Sequence, residues 1–141
     1  MLITLREVLE LDAVRRGLPA VVSGADRLDV AVRWVHAVEL ADDVARLLRG
    51  GELILSTGIA LPDSASALSS YVAELATAGA AGLAIELGRR YSSALPPALV
   101  AAADSSGVVL IEFRHEVAFV EITEAVHTAI FEARAQSPQP R

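Results

Sequence analysis

A chain of 141 residues has room for one domain and buries roughly two-thirds of its unfolded surface on folding. Hydrophobic residues make up 53% of it, which supplies a core and excludes a disordered chain, and the lack of cysteine removes disulfides, thiolate metal sites and cysteine nucleophiles together. The net charge is −6 and every cation is an arginine, so the basic face of a lone DNA-binding domain is missing.

The elements follow in chain order. Thr4 with Glu7 three residues later is a capping box, which predicts a helix from Leu5 to Leu11, stopped by Gly17 and Pro19. Ala20–Ser23 reads as a short strand and Gly24-Ala25-Asp26-Arg27 as a turn. Val30–Glu39 is rich in β-formers, and Asp42–Leu48 reads as a short helix capped by its aspartate. Gly50-Gly51 turns the chain into strand Leu53–Ser56. In the helix from Ser64 to Ala78, Leu68, Tyr71, Val72 and Leu75 form one apolar stripe. Gly82–Leu87 and Val108–Phe113 are apolar on both faces, as buried parallel strands are, and between them Pro97–Ser106 is helical with proline in its first turn. A last helix runs from Ala118 to Ala135, and residues 136–141 form a linker-like tail.

The expected fold class is therefore α/β. A single layered domain carries a largely parallel central sheet flanked by helices, mixed or antiparallel in its N-terminal part. No window approaches the ~20 apolar residues of a membrane span. The first residues lack the basic-then-apolar order of a signal peptide, so a cytoplasmic location is expected.

Chemistry concentrates where strands end. Val38-Glu39-Leu40, Ile85-Glu86-Leu87 and Ile111-Glu112-Phe113 share one pattern, and the C-terminal ends of parallel strands line the edge where α/β ligand sites form. Glu39, Glu86 and Glu112 there either accept hydrogen bonds from an N–H-rich ligand such as a purine or ureide, or pair with Arg89, Arg90 and Arg114. Ser56-Thr57-Gly58 adds hydroxyls and backbone N–H groups at the same edge, and Arg114 adds a cation for a carboxylate or carbonyl. His36 follows Trp34 by two residues, so strand alternation puts Trp34, His36 and Val38 on one face. That histidine is either a partner for a planar ligand or a half-buried packing residue. His115 reads as a loop residue and His127 as a packing residue of the last helix. Histidines at 36, 115 and 127 have no metal-ligand spacing, and neither a phosphate loop, a dinucleotide fingerprint nor a Gly-x-Ser-x-Gly elbow is present. No cofactor is expected and no catalytic residue is nominated. The pocket candidates are His36, Glu39, Ser56, Thr57, Glu86 and Arg114.

Several stretches also carry a resemblance. Thr4-Leu5-Arg6-Glu7-Val8-Leu9, Val22-Ser23-Gly24, Val32–Gly58, Gly82–Gly88 and Phe119–His127, in that order and spacing, resemble the N-terminal domain of PucR-type (purine catabolism regulator) transcription factors over about residues 3–133. The resemblance implies a sensory domain at residues 1–135, placed before a middle domain and a C-terminal helix-turn-helix that binds DNA. This chain stops before those parts, and its proline-containing tail sits where a linker would begin. The implied effector is a purine or related metabolite, and the implied role is control of its catabolism. Two rival readings stand beside it: a structural module for dimerisation or interdomain contact, and a small enzyme acting on a purine or ureide.

The last helix carries two stripes. Phe119, Ile122, Val126, Ile130 and Ala133 suffice to dock it on the sheet. Val120, His127 and Phe131 form a second, offset stripe, expected to face a second copy of the chain in a twofold dimer or else a neighbouring domain.

Overall fold

The computed structural model describes residues 2–39 and 44–135. At its centre is a five-stranded sheet built from β2 (Pro19–Ser23), β4 (Trp34–Ala37), β5 (Glu52–Ser56), β6 (Gly82–Glu86) and β7 (Val109–Phe113). Their order across the sheet is β2-β7-β6-β5-β4. β4 to β7 are mutually parallel, and β2 alone runs antiparallel, against β7. The expected α/β class with a mostly parallel sheet is what the chain forms, and the mixed part is β2.

The early segment is more finely divided than its sequence suggests. β1 (Ile3–Thr4) pairs antiparallel with β3 (Ala31–Val32) in a separate two-stranded ribbon. The β-rich stretch from Val30 to Glu39 thus serves two sheets, with Arg33 at the break donating its N–H to the Gly51 carbonyl at 2.7 Å. The predicted first helix is shorter and has a sequel: α1 (Leu5–Leu9) is followed by α2 (Asp12–Arg15). Its capping box is formed, with Thr4 N–H donating to Glu7 Oε1 at 3.0 Å and Glu7 N–H to Thr4 Oγ1 at 3.2 Å. The predicted helix at 42–48 is a 3-10 turn over Val44–Leu47, and its expected aspartate cap lies outside the described residues, as does the tail.

The remaining helices follow their sequence signals. α3 (Ala65–Thr77) is capped by Ser64, whose Oγ accepts from Ala67 N–H at 3.1 Å. α4 (Pro97–Ser106) ends at Gly107, whose φ of +82° is the left-handed conformation that glycine adopts without strain. α5 (Phe119–Ala135) closes the described chain.

Strand alternation divides the core between the two faces of the sheet. Leu53, Leu55, Ala84, Val109, Ile111 and Phe113 pack with Leu5 and Val8 of α1, Val14 of α2 and Ile122, Val126 and Ile130 of α5. Ile54, Leu83, Ile85 and Leu110 pack with the predicted stripe of α3 and with Leu99, Ala102 and Ala103 of α4. The result is three layers, helix–sheet–helix. All five residues of β5, β6 and β7 are buried, including their glutamates.

Candidate functional site at the sheet edge

Because β4 to β7 run parallel, Ala37, Ser56, Glu86 and Phe113 come out along one edge. Three of the candidate residues meet there. Glu39, just past β4, accepts from Thr57 twice: from the backbone N–H at 2.8 Å on Oε1 and from Oγ1 at 2.6 Å on Oε2. Ser56 is buried, and its Oγ accepts from Gly58 N–H at 2.9 Å. Gly58 has φ +82°, and a Cβ there would stand 2.9 Å from the Tyr91 ring, so this turn requires glycine.

Two residues that sequence reading did not nominate complete this corner. Tyr71, which the sequence placed in a helix stripe, is buried on α3 beside the cluster. Desolvation, with the nearby Glu39 carboxylate adding to it, pushes its phenol up to about 12. Arg90, which the sequence offered as a partner for a strand-end glutamate, instead clamps the loop after Thr57. Its guanidinium Nη1 donates to the carbonyls of Gly58 (3.1 Å), Ile59 (3.1 Å) and Leu61 (2.9 Å), Nη2 pairs with Asp63, and the group lies 5.3 Å from the Tyr91 ring centroid. Burial also raises the Tyr91 phenol; Arg90 lowers it and Asp63 raises it by smaller amounts. Nothing in the local sequence separates Arg90 from Arg89; its role depends on a loop about thirty residues away.

The strand-end glutamates do not converge. Glu112 lies opposite Ile85, whereas Glu86 lies opposite Phe113, one step further along. That offset of one residue sends the two carboxylates to opposite faces of the sheet. Glu112, on the α3–α4 side, accepts from Leu95 N–H at 3.3 Å and from Arg114 Nε at 3.1 Å. Glu86, on the α5 side, accepts from Val117 N–H at 2.8 Å and pairs with Arg89 at 3.6 Å. Both anchor the loops that lead into α4 and α5. Arg114 is thus tied to Glu112, and it also lines a shallow depression with Leu9, Arg15, Leu18 and Pro19. At the opposite end of the sheet, buried Glu52 does the same work, accepting from the N–H groups of Arg49 (2.6 Å) and Gly50 (2.9 Å).

His36 lies opposite Ile54 on the strand next to β5, and no histidine is hydrogen-bonded to Ser56 or Thr57 among the described residues. Trp34 does not share a face with Val38: it packs with the α1–α2–α5 cluster, while Val38 packs with the α3–α4 cluster. The Trp34 ring stacks on His127 of α5 at 3.8 Å between centroids. His36 is half-buried and close enough to His127 for its charge to act there. Burial first, then His36, lowers the His127 pKa, and the buried Nε2 of His127 has no hydrogen-bond partner. His115 is exposed, with Nδ1 3.2 Å from the Glu116 carbonyl. Among the described residues no histidine is hydrogen-bonded to a serine or threonine hydroxyl, and no group of three His, Asp or Glu has a metal-binding arrangement. No described helix is long and apolar enough to cross a membrane.

The edge of this layered α/β domain is thus one whose carboxylates and arginine hold loops in place. The chain belongs to the purine catabolism regulatory protein-like (PucR) family, whose model matches residues 7–130. It is 29% identical over 109 residues to the purine catabolism regulatory protein of Bacillus subtilis (strain 168), covering 76% of this chain and 20% of that protein. It is 38% identical over 65 residues to the transcriptional activator PmfR of Paenarthrobacter nicotinovorans, covering 46% of this chain and 14% of that protein. The chain thus spans a fifth or less of the length of these regulators. Among solved structures it is similar in fold to the CBS and DRTGG domains of the regulatory region of Clostridium perfringens pyrophosphatase, complexed with the activator diadenosine tetraphosphate. The TM-score is 0.52 at 16% identity, over 89% of this chain and 49% of that one.

Proposed function

We propose that this domain is the effector-sensing part of a transcription regulator of purine or related nitrogen-compound catabolism, and that it is not an enzyme. Its effector binds on the α3 side of the sheet edge. The observation that carries this reading is the cluster of Glu39, Thr57, Ser56 and Tyr71 beneath a loop held by one arginine. A carboxylate, hydroxyls and a protonated phenol together offer the acceptors and donors that a purine or ureide edge requires. Family membership supports the regulator role, and the names of the family and of the Bacillus subtilis relative support the substrate class. Binding that favours one arrangement of the 57–63 loop shifts its population, and that shift is what a DNA-binding part elsewhere in the protein reads. Specific DNA contacts belong to that part. His36, Glu86 and Arg114, nominated with the others from sequence, are peripheral to this placement.

The test is a thermal-shift screen with hypoxanthine, urate, allantoin and diadenosine tetraphosphate. One member raises the melting temperature by mass action, and saturation at about a hundred times Kd contributes about 2.7 kcal/mol. Glu39→Gln abolishes the response while the unliganded protein still melts cooperatively. No shift with any of the four, or a Glu39→Gln response equal to wild type, rejects the site. Turnover of a bound compound would instead establish the enzyme reading.

A further inference from the structure

Two arginines line one depression at the end of β7. It holds about 560 Å³ and is bounded by Leu9, Arg15, Leu18, Pro19 and Arg114. Pro19 pairs with Phe113, so the depression lies where β2 begins and β7 ends. The crossovers change face at the same place. β6 leads into α4 on one side of the sheet, whereas β7 leads into α5 on the other. Ligand sites in open α/β sheets form outside the strand carboxyl ends at such a point. Arg114 is the first residue beyond β7.

The charges of this lining are all positive, in a chain whose net charge is −6. The grooves beside α5, by contrast, include Glu7, Glu10, Glu121, Glu124 and Glu132. The Arg15 side chain forms no ion pair or hydrogen bond among the described residues. Arg114 commits its Nε to Glu112 at 3.1 Å, and its Nη groups donate to no acceptor among the described residues.

Leu18 supplies a second, independent observation. Its φ is +50°, the left-handed conformation that a leucine adopts only under strain. Gly17 is held by packing instead, since a Cβ there would stand 2.2 Å from Val117 Cγ1 and 2.6 Å from the Phe113 ring. The left-handed position therefore falls on residue 18. Leu18 is 59% exposed, so burial in the core does not offset its strain. A glycine would suit that backbone better. What the leucine adds is an apolar wall to the depression.

We propose that this depression binds a small carboxylate with an apolar body. Arg15 and Arg114 hold the carboxylate, whose two oxygens match the guanidinium fork. Leu9, Leu18 and Pro19 cover the apolar part. A phosphate is less well served, because the N–H groups of Arg114 and His115 that would cradle one are donated to the Leu18 and Gly17 carbonyls. The site is separate from the cluster on the α3 side and does not depend on it.

The test is a titration of the amide NMR spectrum of the 141-residue chain with benzoate, phenylacetate and isovalerate. Benzamide and inorganic phosphate serve as comparison probes. At least one of the three carboxylates binds in the millimolar range or tighter and moves the amides of Arg15, Leu18 and Arg114. Benzamide and phosphate bind at least about tenfold more weakly. Arg15→Gln weakens carboxylate binding at least about tenfold and leaves the melting temperature unchanged, because the side chain has no partner in the chain. Leu18→Gly raises the melting temperature by relieving the turn, yet weakens binding. A residue that served the fold alone would not move the two readings in opposite senses. No binding by any of the three carboxylates, or shifts centred on the 57–63 loop, overturns the site. So does phosphate that binds as tightly as the carboxylates, or an Arg15→Gln or Leu18→Gly chain that binds as wild type does.

Discussion

The C-terminal edge of the sheet and the outer face of α5 treat their side chains in opposite ways. At the edge nearly every polar group is engaged within the chain. Glu86 and Glu112 hold the N–H groups of Val117 and Leu95, Glu39 holds Thr57, and Arg90 holds three carbonyls. On α5 the large apolar groups Val120 and Phe131 are left in water, and His127 Nε2 is buried without a partner. The first region has its interactions satisfied from inside; the second leaves apolar surface open to water. The carboxylate count at the edge therefore overstates its free hydrogen-bonding capacity, since Glu86 and Glu112 are committed to loop N–H groups.

The contrast can be broken at its strongest point by substitution. Glu86→Ala removes a buried carboxylate and leaves the Val117 N–H unpaired, a loss expected to cost roughly 2 kcal/mol. Phe131→Glu changes the stability of the monomer by less than about 0.5 kcal/mol. Both are to be read from urea unfolding at low protein concentration, where association adds nothing to stability. Equal losses for the two variants would erase the distinction between the regions.

Titration sharpens it. The Tyr71 phenol is raised from 10.0 to about 12 in the folded chain, so its contribution is complete below pH 10 and is lost as pH rises towards 12. Tyr71→Phe should flatten the alkaline fall in melting temperature, and phenolate absorbance should show one tyrosine ionising late. On the α5 side the sign is reversed and the effect smaller. His127 is depressed from 6.5, so its neutral form suits the folded state above that pH and stability declines as pH drops through the folded pKa. His127→Gln should reduce the acid slope of the melting temperature between neutral pH and the carboxylate range. A slope identical to wild type would mean that the Trp34 stack tolerates the imidazolium without cost.

Much of the fold was legible because its signals are local and periodic. Leu68, Tyr71, Val72 and Leu75 announce α3, Gly107 ends α4, and the core stripe of α5 is buried at Ile122, Val126 and Ile130, whereas His127 of the second stripe packs on Trp34. The ribbon of β1 and β3 was not, since two residues per strand carry no period. Of the candidate residues, Glu39, Ser56 and Thr57 come together at the sheet edge as the strand pattern suggested. Ile85-Glu86-Leu87 and Ile111-Glu112-Phe113 look alike as strings, yet their pairing is offset by one residue and their carboxylates part to opposite faces. Register is a property of two strands and cannot be read from either alone. Arg90 escaped for a related reason: its partners at Gly58, Ile59, Leu61 and Asp63 come from the preceding crossover.

The antiparallel strand at the far side of the sheet has a consequence for how the chain behaves in a crowded solution. β2 opens with Pro19, which has no N–H to offer, and its pairing with β7 slips between Val21 and Ser23. A border with a missing donor and a local kink is a poor template for another strand. Sheet growth by strand addition is thereby discouraged along β2, where a second chain would find an interrupted ladder.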